Sequence, residues 1–313
     1  MKHLKIAGLC LTAMFAMSMI AAEIASAEPP AKPAPAQCVR VHENGTGNFE
    51  DSKCKKEKAK SEFIRTRTGG IFIENGVWCQ RVWEAGTGTH NEASCEKKGG
   101  TKNYILVKHT NGFKSTSKSG TLRAANGTEI KCTSSTVEEG KFGAFKGEGE
   151  KEEEEAAKEV RIGKIKYNGC KSGGEECKTE GAAAEEITTR ELTGRFGYVK
   201  KEAKTEVGLE LRPSSGTLFS EFACTILKLK AKAKVTGCII GRFEKINEML
   251  TENKLIFTES AAKESIQVPL KFEGGAACEL TEEDSIVKKA EKSAITTEYT
   301  LTVGEEEELE INA

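Results

Sequence analysis

Apolar and polar residues alternate strictly from residue 227 to residue 235, within a segment (225–236) that reads TILKLKAKAKVT. The apolar positions are Leu227, Leu229, Ala231, Ala233 and Val235, and lysines alternate with them. A period of two places the two sets on opposite faces of a β-strand. Shorter apolar runs between turn residues predict further strands. They cover residues 71–73, 104–108, 160–165, 207–211, 218–222, 254–257, 266–272 and 295–303.

A sequence repeat occupies the N-terminal part of the chain. CVRVHENGTG begins at Cys38 and leads to Cys54, and CQRVWEAGTG begins at Cys79 and leads to Cys95. The copies share the Arg-Val pair, a glutamate (Glu43 or Glu84) and the Gly-Thr-Gly triplet, all at the offset that separates Cys38 from Cys79, which we call the repeat offset. We therefore predict the bridges Cys38–Cys54 and Cys79–Cys95, each closing a loop of about 15 residues and worth roughly 3 kcal/mol. A unit this small needs such a staple.

One tryptophan of the second copy, Trp83, is a candidate for ligand binding. Trp83 is placed to stack on a sugar ring, but the first copy has His42 at this position, so the feature is not shared. Trp78 directly precedes Cys79. The favoured interpretation is that tryptophan forms the core of the copy, and stacking by Trp83 is the alternative.

Residues 1–27 have the form of a secretory signal. Lys2 and Lys5 precede an apolar run over residues 6–22, and small residues then end at Ala27. We predict cleavage after Ala27 and a secreted, extracellular or cell-envelope location. The run is short for a membrane span, and no second run of about 18 apolar residues follows. Lipidation of Cys10 is a less favoured alternative.

Composition divides the remaining chain into segments. Residues 28–37 hold four of the six prolines and predict a semi-rigid Pro/Ala linker. A polar hinge is expected at residues 115–120, and residues 147–158 have the composition of a solvated loop. For the acidic stretch at 152–155, a partner-binding tail or a cation-binding segment is the alternative. The plan is a signal (1–27), a linker (28–37), two stapled repeats (38–114, with cores at 38–58 and 79–99) and a larger β-rich domain (117–313).

Four lysines share the polar face of the alternating strand, namely Lys228, Lys230, Lys232 and Lys234. Such a row can attract an anionic polymer. The favoured interpretation is the wet face of a sheet, or protection of an exposed edge against pairing. The net charge of −1 gives no general electrostatic reason to bind nucleic acid.

Catalytic and metal-binding residue types are scarce in the larger domain. His42, His90 and His109 all precede it, and Asp284 is its one aspartate. A Ser-His-Asp triad or a His-based zinc site cannot be built within it, and calcium loops need more aspartates. We expect no catalytic residue, no metal and no cofactor. A pair of glutamates that cleaves a glycosidic bond is the remaining enzymatic alternative.

An even number of cysteines remains once the signal is removed, because ten of the eleven follow it. In an exported chain this is typical of a disulfide framework. No C-x-x-C pair occurs, so the usual zinc and thioredoxin spacings are missing.

Six motifs stand between residues 120 and 247. They are GTEIKC (127–132), NGCKSGGEEC (168–177), EITTRELTGRFGY (186–198), VGLEL (207–211), FSEFAC (219–224) and GCIIG (237–241). This segment resembles a multi-copy family of secreted β-rich proteins of unknown function from soil actinobacteria. The repeat resembles a module that accompanies the family, so the likeness covers about two thirds of the chain. It implies export and a β-rich domain, and it implies no activity and no functional residue.

The family pattern also bears on the cysteines of the larger domain. Cys238 and Cys278 look additional to that pattern, which implies that they pair with each other. The pairs then expected are Cys170–Cys177, as a clip across a hairpin, and Cys132–Cys224, across the sheet.

The sequence thus predicts an all-β chain, with a β-sandwich or barrel-like larger domain preceded by two small disulfide-stapled repeats. Its expected function is that of a secreted, non-enzymatic binding or cell-envelope interaction protein, with cell-wall or extracellular polysaccharide as partner. The alternatives are a glycosidase-like hydrolase with paired glutamates, and a secreted inhibitor or toxin-like protein.

Overall fold

The computed structural model describes residues 33–92, 94–108, 112–142, 159–201, 205–226, 229–286, 288–304 and 307–313. All regular elements within these ranges are β-strands, which confirms the all-β prediction. The signal segment with Cys10, the start of the linker, His109, Lys228 and residues 147–158 lie outside the described residues. Among the described residues, we find no helix with the length and hydropathy of a membrane span.

The first sheet is antiparallel and has eight strands in the order β3-β2-β4-β1-β7-β6-β5, with β26 paired to β1. Its strands are β1 (Ala34–Val41), β2 (Gly47–Phe49), β3 (Glu57–Ser61), β4 (Phe63–Arg67), β5 (Ile71–Glu74), β6 (Val77–Arg81), β7 (Tyr104–Lys108) and β26 (Glu308–Asn312). The last strand of the described chain thus lies beside the first described strand, within the sheet of the repeats.

The larger region is a closed barrel that contains all the remaining strands. These are β8 (Gly112–Ser117), β9 (Gly120–Ala124), β10 (Glu129–Cys132), β11 (Ser134–Phe142), β12 (Glu159–Gly163), β13 (Lys166–Asn168), β14 (Lys171–Ser172), β15 (Glu175–Lys178), β16 (Ile187–Thr188), β17 (Leu192–Lys200), β18 (Glu206–Pro213), β19 (Leu218–Ile226), β20 (Leu229–Gly237), β21 (Ile239–Phe243), β22 (Glu252–Glu259), β23 (Gln267–Val268), β24 (Leu280–Asp284) and β25 (Ala290–Val303). The segment expected to be a hinge, residues 115–120, falls on β8, its connection to β9 and the first residue of β9.

The sequence repeat is also a structural repeat. Strand β7 corresponds to β4 at the repeat offset, and the predicted bridges Cys38–Cys54 and Cys79–Cys95 both form, each with a Cα–Cα distance of 5.7 Å. The second cysteine of each pair has a left-handed backbone, with φ of 51° at Cys54 and 54° at Cys95. Each copy is therefore the same stapled unit.

The Gly-Thr-Gly triplets form matching turns. Thr46 Oγ1 donates to Glu43 O at 2.6 Å, and Thr87 Oγ1 donates to Glu84 O at 2.7 Å. A Cβ on the last glycine of the first triplet would lie 2.5 Å from Phe63 O. The turn can pack this closely on β4 only because that residue lacks a side chain.

The two copies exchange contacts. The His42 N–H donates to Leu106 O at 2.9 Å, and the Trp83 N–H donates to Arg65 O at 3.0 Å. The turn after the first strand of each copy therefore lies on the last strand of the other. Their shared core is Val39, Val41, Ile64, Val82, Ile105 and Val107, with Trp78 packed against it.

Strand β20 shows how the period of two builds the barrel wall. Ala231, Ala233 and Val235 are buried, while the lysines between them are exposed. Leu229 departs from the expected pattern and is 70% exposed, because β24 pairs with β20 only from Ala233 onward. Lys234 is paired on both sides, to β19 and β24, so it does not protect a free edge, whereas Lys230 and Lys232 precede the stretch that β24 pairs.

Two of the five disulfides correct the sequence prediction. The bridges are Cys132–Cys170 and Cys177–Cys224 rather than Cys170–Cys177 and Cys132–Cys224, whereas Cys238–Cys278 forms as expected. Strands β10, β14, β15 and β19 lie side by side in that order. Three strand spacings of about 4.8 Å separate β10 from β19. The distance between Cys132 and Cys224 therefore exceeds the roughly 7 Å Cα–Cα limit of a disulfide. Each cysteine of the β14–β15 hairpin instead bonds to its outer neighbour.

Candidate ligand-binding cleft

An open cleft of about 430 Å³ lies where the two copies of the repeat meet. The first copy contributes residues from β2, β3 and β4, and the second contributes the turn that follows β6. The lining residues are Asn48, Phe49, Glu57, Lys58, Ala59, Ile64, Arg65, Trp83, Glu84 and Thr87. We refer to this site as the Trp83 cleft.

Trp83 is half-buried and firmly held in the cleft. Its ring packs against the small apolar cluster of Ala36, Cys38, Phe63 and Met249. The guanidinium carbon of Arg65 lies 4.7 Å from the ring centroid and that of Arg67 lies 5.7 Å away, within cation–π range. Arg65 is itself fixed, because it donates to Asn312 Oδ1 at 2.8 Å and pairs with Glu310 on β26. The indole is therefore pre-organised.

The charged groups of the Trp83 cleft do not neutralise one another. Glu57 and Glu84 are exposed, and neither carboxylate forms an ion pair within the described residues. Lys58 pairs instead with Glu50, at 3.5 Å. The cleft thus presents an aromatic ring beside hydrogen-bonding groups that are free to take a ligand.

The pseudo-equivalent position of the other copy has a different content. At the repeat offset, His42 replaces Trp83, His90 replaces Phe49 and Lys98 replaces Glu57, while Glu43 corresponds to the shared glutamate Glu84. The backbone confirms the match, because Phe49 pairs with Glu57 as His90 pairs with Lys98. Lys98 Nζ bonds both carboxylate oxygens of Glu43, at 2.8 and 3.0 Å. The Lys98–Glu43 ion pair therefore spans the position that corresponds to the open Trp83 cleft.

Two pKa shifts mark the second position. The hydrogen bond from Lys98 lowers the pKa of Glu43. Burial lowers the pKa of His90, whose Nδ1 lies 2.8 Å from Thr89 Oγ1. The lowered pKa values keep Glu43 charged and His90 neutral at neutral pH, and both states favour the arrangement in which the Lys98–Glu43 pair spans the gap.

The lysine face on β20 is a second candidate surface. Lys230 and Lys232 are exposed and line a groove of about 790 Å³, while Lys228 lies outside the described residues. Carboxylates accompany them, since Glu176, Glu180, Glu186 and Glu221 line the same groove. Lys234 stands in register between Glu221 and Glu283. The face therefore has mixed charge rather than a continuous basic character.

Glu282 on β24 is a buried carboxyl group that sequence reasoning missed. It is 2% exposed, and neither carboxylate oxygen has a hydrogen-bond partner. Burial raises the pKa of Glu282 to about 7, and the nearby carboxylates of Asp284 and Glu291 contribute to this shift in the same direction. The available signal was its position: Glu282 is two residues beyond the buried Leu280, on the same face of β24.

One grouping of metal-ligand residue types occurs within the described ranges, formed by Glu210, Cys238 and Cys278. Both cysteines are consumed by their mutual disulfide. Glu210 is buried and pairs with Arg195 and Arg212. This grouping is therefore a structural cross-link rather than a site for an ion.

The five disulfides are typical of an oxidising, extracellular environment. Comparison of the chain with protein-family models, curated proteins and solved structures finds no match.

Proposed function

We propose that this protein is an exported, non-enzymatic binding protein that holds cell-wall or extracellular polysaccharide in the Trp83 cleft. The observation that carries the proposal is the fixed indole, set in an open cleft beside uncommitted polar groups. Ligand sites typically combine aromatic surface with a few placed polar groups.

The chemistry of the cleft fits a sugar ring. The free part of the Trp83 ring offers a flat apolar surface to ring C–H groups. Asn48, Glu57 and Glu84 carry acceptors for hydroxyl groups, and Asn48 and Lys58 carry donors. Because Trp83 is already immobilised, binding costs little side-chain entropy.

Export completes the proposal. Residues 1–27 have the form of a cleavable signal, and the disulfides match an oxidising destination. The resemblance to a secreted actinobacterial family points the same way and stays a prediction. N-terminal sequencing of the exported protein is expected to begin at Glu28.

Co-sedimentation of the exported, oxidised protein with insoluble cell-wall material and polysaccharides tests the binding. We expect saturable retention that is insensitive to salt, that is lost in Trp83→Ala and that is kept in the matched control His42→Ala. Retention that fades with salt and survives Trp83→Ala would move the site to the lysine face. No retention on any material would remove the proposal.

A hydrolase is the second candidate, because Glu57 and Glu84 both line the cleft and two carboxyl groups are the machinery of glycosidases. Both are exposed, whereas a glycosidase proton donor depends on an apolar environment. Release of reducing ends that is abolished by Glu57→Gln or Glu84→Gln would establish hydrolysis. Retention without release would establish binding alone.

A further inference from the structure

Strand β5 ends the first sheet with an exposed apolar edge. It pairs with β6 on one side and with no other strand of the described chain on its outer side. Phe72 and Ile73 on this strand are 48% and 42% exposed. Phe72 packs edge-on against Trp78, with ring centroids 5.2 Å apart. Free edges with apolar side chains are templates for pairing with another strand.

The other copy has a strand in the matching place. Strand β26 lies on β1 as β5 lies on β6: Leu309 faces Gln37 and Phe72 faces Trp78, and Gln37 and Trp78 are related by the repeat offset. Strand β26 therefore completes the first copy as β5 completes the second.

The outer sides of these two matching strands differ. On β26, Leu309 and Leu250 exchange backbone hydrogen bonds of 2.9 and 3.0 Å, so another chain segment covers that edge. Leu309 is 2% exposed and belongs to the main apolar core. On β5 no strand of the described chain covers the equivalent position, Phe72.

We propose that the β5 edge is covered by the β5 edge of a second copy of this chain, in an antiparallel two-fold pair. The sequence of the strand is self-complementary in this arrangement. With the two-fold axis through Phe72, the two copies of Phe72 face each other across the interface, Ile71 faces Ile73, and Glu74 faces Gly70. No carboxylate opposes a carboxylate, and the apolar pair lies at the centre, where cross-strand pairs stabilise a sheet. Since β5 is a short strand, Ile71–Glu74, the dimer is of the weak class.

Sedimentation velocity of the exported, oxidised protein tests this pairing, from about 1 µM to about 500 µM, the range in which small interfaces associate. We expect a reversible shift towards twice the monomer mass. Ile73→Lys places a charge on the edge and is expected to weaken association at least about tenfold. The matched control is Ile286→Lys, because Ile286 is also an exposed isoleucine, 65% exposed and on the barrel, and its substitution should leave association unchanged.

Hydrogen exchange identifies the surface. The β5 amides are expected to gain protection as the concentration rises, while those of β3, the opposite edge of the sheet, do not. A wild-type chain that stays monomeric over the whole range overturns the proposal. So does a dimer that persists in Ile73→Lys, or one that is lost in Ile286→Lys.

Discussion

The two copies of the repeat have the same backbone and different surfaces. Both keep the 5.7 Å Cα–Cα staple, the left-handed cysteine and the Thr-capped turn. At one junction Trp83 and Glu57 border an open cleft. At the other, His42 takes the place of the tryptophan, and the ion pair between Lys98 and Glu43 spans the gap. The shared features define the scaffold, and a few side-chain differences separate a candidate binding site from a closed one.

The staples should contribute equally to stability and unequally to binding. Removing either Cys38–Cys54 or Cys79–Cys95 by paired Cys→Ala substitution is expected to cost about 3 kcal/mol, since both loops have the same length. Urea denaturation measures this. The first staple holds the β2–β3 wall of the Trp83 cleft, so its loss should also weaken retention under conditions where both variants remain folded. Equal retention by the two variants would show that binding does not depend on the wall held by the Cys38–Cys54 bridge, and would therefore argue against the Trp83 cleft as the binding site.

Trp83→Ala should cost roughly 2 kcal/mol of binding free energy, about 30-fold in affinity, as for a buried aromatic anchor. His42→Ala should change affinity less than about twofold, because its position is spanned by the Glu43–Lys98 pair. Titration with a soluble fragment of the retained polysaccharide measures both. Circular dichroism with thermal melting checks that Trp83→Ala still folds, since the ring also contacts Phe63 and Met249. A larger loss in His42→Ala would reverse the assignment.

Exchanging charges should convert one junction into the other. Glu57→Lys places an ammonium group opposite Glu84, as Lys98 stands opposite Glu43, and is expected to close the cleft and weaken binding about tenfold. Lys98→Glu breaks the Glu43 pair and should cost about 0–1 kcal/mol of stability, because the pair is exposed. Glu252→Lys, at an exposed position on β22 of the barrel, is the charge-matched control. Unchanged affinity in Glu57→Lys would show that closure does not depend on this ion pair.

Much of this scaffold could be predicted from the sequence. The all-β class, the repeat and its two staples follow from local patterns, because spacing and period are preserved along the chain. Of the three barrel bridges, Cys238–Cys278 was predicted correctly and the other two wrongly, because sequence does not show that β14 and β15 come between Cys132 and Cys224.

The candidate site was only partly predictable. Trp83 could be singled out as an aromatic residue, but Phe49, Glu57 and Arg65 reach the same cleft only through contacts between the copies. The chain end at β26 supplies Glu310 and Asn312 to hold Arg65. Nothing local in that segment indicates pairing with β1, at the opposite end of the described chain.

Acidification should destabilise the junction that the Glu43–Lys98 pair closes, because His90 lies there. The Trp83 cleft cannot share this effect, because Phe49 at the equivalent position does not bind protons. Burial lowers the pKa of His90 below 6.5, so the unfolded chain binds a proton more readily than the folded one. Stability is therefore retained above pH about 6.5 and falls as the pH drops through the folded-state pKa. His90→Phe copies Phe49 and should flatten this part of the dependence of Tm on pH. A wild-type Tm that does not fall between pH 7 and pH 5 relative to His90→Phe would show that His90 is not a proton-linked element of the closed junction.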